Sequence, residues 1–105
     1  LVGVDPMCEM GPSEAANSCG VHIHAGMSCM EDAMGHYYSP VVGSDPWRTI
    51  VYSSDADGMA SGVITGIPTG LPASEIVGHS MIIHDRAGTR VACAILSTDA
   101  PTMSP

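Results

Sequence analysis

The chain has no lysine and no phenylalanine, and its only basic residues are Arg48, Arg86 and Arg90. Against eleven acidic residues these leave a formal net charge of −8 over 105 residues. Nucleic acid and anionic membrane surfaces both need a basic footprint, so neither is expected as a partner. Long apolar runs are also missing. Every charge-free stretch is broken by Gly, Pro or Ser before the roughly 18 to 20 residues that a membrane helix needs, which predicts a soluble chain. With 13% charged and 45% hydrophobic residues the composition excludes a disordered polyelectrolyte and predicts one packed domain.

Continuous runs of strong helix formers are scarce, whereas twelve glycines and eight prolines are present. The apolar residues alternate at period two, and the fold class expected is all-β. A short strand is predicted at 20–25. Trp47 to Thr65 holds two β-rich segments joined through Asp57-Gly58, a hairpin signal. A second hairpin pairs strands at about 76–84 and 89–97 through Asp85-Arg86-Ala87-Gly88. The domain is expected to span 1–97, with 98–105 as a tail. Five strands at most leave open sheet edges that something must cover.

Four cysteines, an even count on an acidic chain, favour two disulfides and an oxidising, extracellular compartment; number alone allows three connectivities. A bond between Cys8 and Cys19 would brace the long first loop.

Five histidines carry the functional signal. His22 and His24, two apart on a strand, project from one face and form half of a metal site. His36 in the following loop and His84 at the end of a later strand could bring the number of imidazoles to four. An all-nitrogen set suits copper(II) or zinc and not magnesium or calcium. His79 precedes His84 by five residues, which on one strand places it roughly 16 Å away and on the opposite face. It is therefore read as structural or hydrogen-bonded.

The segments GVHIHAGMSC, GHYYSP, DPW, YSSDADGMASG and EIVGHSMIIHDRAGTRVACAIL, in that order, resemble the copper/zinc superoxide dismutase superfamily. The resemblance is closest to its copper-only members and to superoxide dismutase repeat proteins. It implies a Greek-key β-sandwich, with His22, His24, His36 and His84 as copper ligands. His36 would be the residue that bridges copper and zinc in bimetallic members and lends a proton during turnover. Cys29 and Cys93 would form the family's disulfide, and Arg90 would guide the anionic substrate. Leu1–Val4 matches the end of the family's third strand, so the chain would supply about five of eight strands. The missing strands would come from a neighbouring segment or from self-assembly.

Departures from the family sharpen the expectation. No histidine lies between His36 and His79, so no zinc site is expected and the centre would hold copper only. Glu31, Asp32 and Asp45 are the candidates to orient the other ring nitrogen of His36. Only Asp85 to Thr89 stand where the family carries a long charged loop, which predicts an open copper whose anion attraction depends on Arg90, with help from Arg86. Arg90 is read equally as a donor to loop carbonyls. Met27, Met30 and Met34 could offer thioethers to copper(I) but are read as gap-fillers in a chain without Phe. Asp45-Pro46-Trp47 is read as a turn entering a strand with Trp47 half-buried, and Tyr37 and Tyr38 as packing residues.

The function expected is an extracellular copper-binding domain that disproportionates superoxide to oxygen and hydrogen peroxide. Two alternatives stand beside it: non-catalytic copper buffering, and a structural subunit of an extracellular fibre or repeat protein completed by neighbouring strands.

Overall fold

Three Pro residues, each preceded by a short capping side chain, set the local structure of the loops. Asp5, Ser39 and Asp45 accept hydrogen bonds from the backbone N–H of Met7, Val41 and Trp47. Each opens a single 3₁₀ turn, at Pro6–Met10, Pro40–Val42 and Pro46–Thr49. Proline has no N–H to lose at the first helical position, and the side-chain oxygen satisfies the next donor. The computed structural model that provides this architecture describes residues 1–62, 64 and 66–97. The predicted tail 98–105 lies outside them.

Regular structure among the described residues is mainly sheet, compatible with an all-β class. Strand β1 is Val21–His24, β2 is Ser80–His84 and β3 is Arg90–Ile95, antiparallel in the order β1-β2-β3. The β2–β3 turn forms where Asp85 to Gly88 predicts it. Gly88 donates to the Asp85 carbonyl and Thr89 to the Asp85 carboxylate. A Cβ at Gly88 would lie 2.0 Å from the Ala16 carbonyl oxygen, so only glycine fits there.

Among the described residues two predicted strands do not form; positions 63 and 65 of the second lie outside those residues. Trp47 lies in the 3₁₀ turn at Pro46–Thr49 and is buried, 2% exposed, not half-buried at a strand entrance. The Asp57-Gly58 turn exists, but its flanking segments do not pair with each other as a ladder. The Asp55 carboxylate takes the N–H groups of Asp57 and Met59. Residues 50–52 bond to Cys19 and Val21, while Gly58 and Ala60 bond to Val4 and Leu1. Each arm thus finds its backbone partners on a different segment, leaving only isolated bridges, Gly20 to Val51 and Val2 to Met59. The predicted strand at 76–84 likewise begins late. Pro72 starts a four-residue helix, Ala73–Ile76, and β2 follows from Ser80.

One face of the sheet carries the core. Val4, Cys8, Cys19, Tyr52, Ala60 and Ile83 are buried together, with Val21, Val51 and Met81 against them. Disulfides join Cys8 to Cys19 and Cys29 to Cys93. The second closes a separation of 64 residues, which in the chain-entropy account stabilises by about 4 kcal/mol. With so small a core that term is a large part of the total. Selective reduction, or Cys29→Ser with Cys93→Ser, is therefore expected to lower the urea midpoint severely or to prevent folding; an unchanged midpoint would contradict this account.

Candidate metal centre

The register of the sheet assembles the site. His22 and His24 share the face of β1 away from the core, and His22 stands opposite Ile82 of β2. Two residues further along β2, His84 projects from the same face and donates its backbone N–H to Gly20. His36 arrives beside β1 through a bridge to His24, held by bonds from Ala25 N–H to the Gly35 carbonyl and from Tyr37 N–H to the Ile23 carbonyl.

The four rings meet. One ring nitrogen from each of His22, His24, His36 and His84 lies within 4.8 Å of all the others. The centroid of His22 is 4.3 Å from that of His36 and 5.0 Å from that of His84. His22, His24 and His84 are each 1% exposed. This group could hold a metal ion.

Hydrogen bonds on the opposite ring nitrogens orient the group. Nδ1 of His24 donates to the Met34 carbonyl at 2.8 Å, and Nδ1 of His84 donates to the Gly88 carbonyl at 3.1 Å. Nδ1 of His36 donates to the Asp45 carboxylate at 2.6 Å. A carbonyl can only accept, so His24 and His84 carry the proton on Nδ1 when neutral and keep a lone pair on Nε2. Those two Nε2 atoms and both nitrogens of His22 are buried without a hydrogen-bond partner. A buried unpaired polar atom costs about 1–3 kcal/mol, and a shared cation would satisfy several together.

Burial keeps three of the rings, those of His22, His24 and His84, ready to bind. Burial, and then the neighbouring charges of His36, His84 and His24, push the His22 pKa down to about 4. Burial is also the leading cause that lowers His24 and His84, with their backbone hydrogen bonds opposing it. Neutral imidazole is the form that coordinates metal.

Gly20 makes room for this arrangement. A Cβ there would sit 2.3 Å from Cε1 of His22, in the space the ring occupies. Sequence reasoning overlooked Gly20, although a glycine two residues before the first histidine of an alternating strand shares its face. Of the three acids considered for His36, Asp45 takes the role, and it also receives the Trp47 N–H. Trp47 packs 6.3 Å from His22 and donates its indole N–H to the Tyr37 carbonyl.

Other expectations fall outside the cluster. His79 precedes β2, donates Nδ1–H to the Ala25 carbonyl and stacks on Tyr37 at 3.9 Å. Arg90 donates to the Met34 carbonyl at 2.9 Å and pairs with the exposed Asp32 at 3.2 Å. Arg86 is turned away, with Nε on the Gly11 carbonyl. Met27, Met30 and Met34 fill no gap: they are 62%, 94% and 58% exposed. The loop that carries them doubles back on itself, closed by Gly26 N–H to the Ala33 carbonyl, so its tip lies outside the packed interior. No family model matches the chain, and no curated protein or solved structure matches it either.

The depressed histidine pKa values carry a sign. The unfolded chain, with histidines near 6.5, binds more protons than the folded one between pH 6.5 and 4, so the metal-free protein should lose stability as pH falls through that window. Denaturant midpoints measured at pH 7.5, 6 and 5 check it; a flat profile would contradict the burial argument. Gly20→Ala should displace the His22 ring and weaken metal uptake at least tenfold while leaving both disulfides formed, checked by metal titration and thiol assay.

Proposed function

We propose that the chain is an extracellular copper-binding domain of the copper/zinc superoxide dismutase type, with a copper-only centre made by His22, His24, His36 and His84. The observation that carries this reading is the convergence of four imidazoles, three of which, His22, His24 and His84, have buried ring nitrogens without a protein partner. An all-nitrogen imidazole donor set fits copper(II). The two disulfides fit an oxidising compartment. Among the described residues no helix is long and apolar enough to cross a membrane.

Copper bound there would supply one-electron redox chemistry between its divalent and monovalent states, sufficient to turn two superoxide ions and two protons into dioxygen and hydrogen peroxide. The chain's own residues would do the rest. His24 and His84, tethered through Nδ1, hold their Nε2 atoms in place. His36, whose Nδ1 donates to the Asp45 carboxylate, would hand on one proton, the part its counterpart plays in the family the chain resembles. Solvent supplies the second proton. Arg90 lies one carbonyl from His24, because both donate to Met34, and its charge could draw an anion against the −8 background.

Non-catalytic copper holding is the second reading, and the engagement of Arg90 favours it. A guanidinium paired to Asp32 presents a weakened field to an approaching anion. In either case we propose that the sheet is part of a Greek-key sandwich completed by strands from a neighbouring segment or a further copy. Two features support this: β3 is exposed at every position, and a groove of about 480 Å³ lined by Leu1, Val21, Ile23, Ile67 and Met81 lies on the core side.

Trp47 is the sole tryptophan, so its fluorescence should report the site. Copper(II) added to metal-free protein should quench it with an endpoint of one ion per chain. His84→Ala should weaken that binding at least tenfold and His79→Ala should not; equal losses would overturn the division of the histidines. Superoxide turnover by the copper-loaded protein, measured with rising salt and with Arg90→Gln, separates the two readings. A dismutase steered by Arg90 slows in both cases, whereas a copper store shows no turnover to slow.

A further inference from the structure

The loop between His24 and His36 exposes three methionines that packing does not explain. Met27, Met30 and Met34 stand 62%, 94% and 58% exposed. They share one closed loop, which Gly26 N–H to the Ala33 carbonyl and Ala25 N–H to the Gly35 carbonyl fasten at its base. Cys29 ties its middle to β3 through the disulfide to Cys93. Inside it, Ser28 accepts from Met30 N–H and Asp32 from Met34 N–H. A segment fixed by so many bonds loses little further entropy on binding a ligand.

Met34 adds strain to exposure. Its φ is +63°, a left-handed conformation that favours Gly or Asn and costs another residue roughly 1–2 kcal/mol. In that conformation its carbonyl receives both His24 Nδ1–H and Arg90 Nη2–H. The loop's backbone therefore touches the imidazole cluster directly, while Met27, Met30 and Met34, like Glu31 and Asp32 in the same loop, are exposed residues.

We propose that this loop is a second metal site, a receiving site for monovalent copper in which the thioethers of Met27, Met30 and Met34 are the ligands. Thioether sulfur is a soft donor that selects copper(I) over hard cations. Three unbranched side chains with three rotatable bonds each can adapt to one ion. Met27 and Met30 are separated by at most about 11 Å of chain. The Asp32 charge is paired with Arg90, which leaves Glu31 as the loop's carboxylate to attract a cation, without matching the softness of sulfur. The site adjoins the imidazole cluster, so an ion held there is placed to pass to it; only this last step rests on the copper reading of the four histidines.

Silver(I), a redox-inert soft ion, tests the site directly. The metal-free, disulfide-intact chain with ¹³C-methyl methionine is titrated with silver(I) and followed by NMR. The methyls of Met27, Met30 and Met34 should shift together to an endpoint of one ion, while those of the exposed Met7, Met10 and Met59 remain in place. Met27→Leu, Met30→Leu and Met34→Leu combined should weaken silver binding at least tenfold, and the wild-type shifts decide the matter where that variant fails to fold. Equal shifts at all exposed methionines, or unchanged silver affinity in the folded triple variant, would overturn the proposal. A wild-type chain that shows the three-methionine shifts but no copper(II) quenching of Trp47 would sink the four-imidazole reading and leave the thioether site standing.

Discussion

Four imidazoles, three of them buried and that of His36 half-buried, can share one point only because the far side of the rings is already committed. The Met34 carbonyl holds His24, the Gly88 carbonyl holds His84 and the Asp45 carboxylate holds His36. Each of these bonds fixes which nitrogen carries the proton, and so where the lone pair points. His22 has no such tether; it is confined sterically, its ring lying where a side chain at Gly20 would be. Remove the tethers and the same four residues become a polar hole in a small protein.

The tethers explain why so much of the chain is irregular. Met34, Gly88 and Asp45 all lie in loops, and each loop is fastened by side-chain oxygens where ladder bonds are lacking. Asp32 bonds the Met34 N–H, Asp85 bonds the Thr89 N–H, and Asp45 bonds Trp47 as well as His36. Aspartate thus accounts for much of the acidity and for the geometry of the site together. The main core cluster lies on the opposite face and includes a disulfide among its few members. A domain of this kind depends on covalent links, and on any ion that binds only the folded form, more than on apolar area.

Legibility in the sequence follows the range of the interaction. The strand at 20–25, the hairpin around Asp85 to Gly88 and the grouping of His22, His24, His36 and His84 rest on alternation and turn chemistry, and the structure places all of them together. Over its described residues the Trp47 to Thr65 hairpin does not form, because period two records which residues prefer extended backbone and not which segment they pair with. Tyr52 found Cys19, and Ala60 found Leu1. Met27, Met30 and Met34 were misread for a related reason. Residue type suggested filling, whereas the closure of their loop decides exposure. Asp45 was visible only as one of three acids, since nine residues of loop separate it from His36.

Folded proteins leave few buried polar atoms unpaired, and here four such atoms, on three residues, fall in one place. Chance cannot readily gather them, because each alone is a cost the fold could remove by placing an apolar side chain on that face. His36 lies beside them with its own far nitrogen on a carboxylate, a partner that favours positive charge nearby. A set of ring nitrogens without donors, backed by a carboxylate, could hold a cation. A metal ion would bring positive charge there without the proton that burial and mutual repulsion drive off His22.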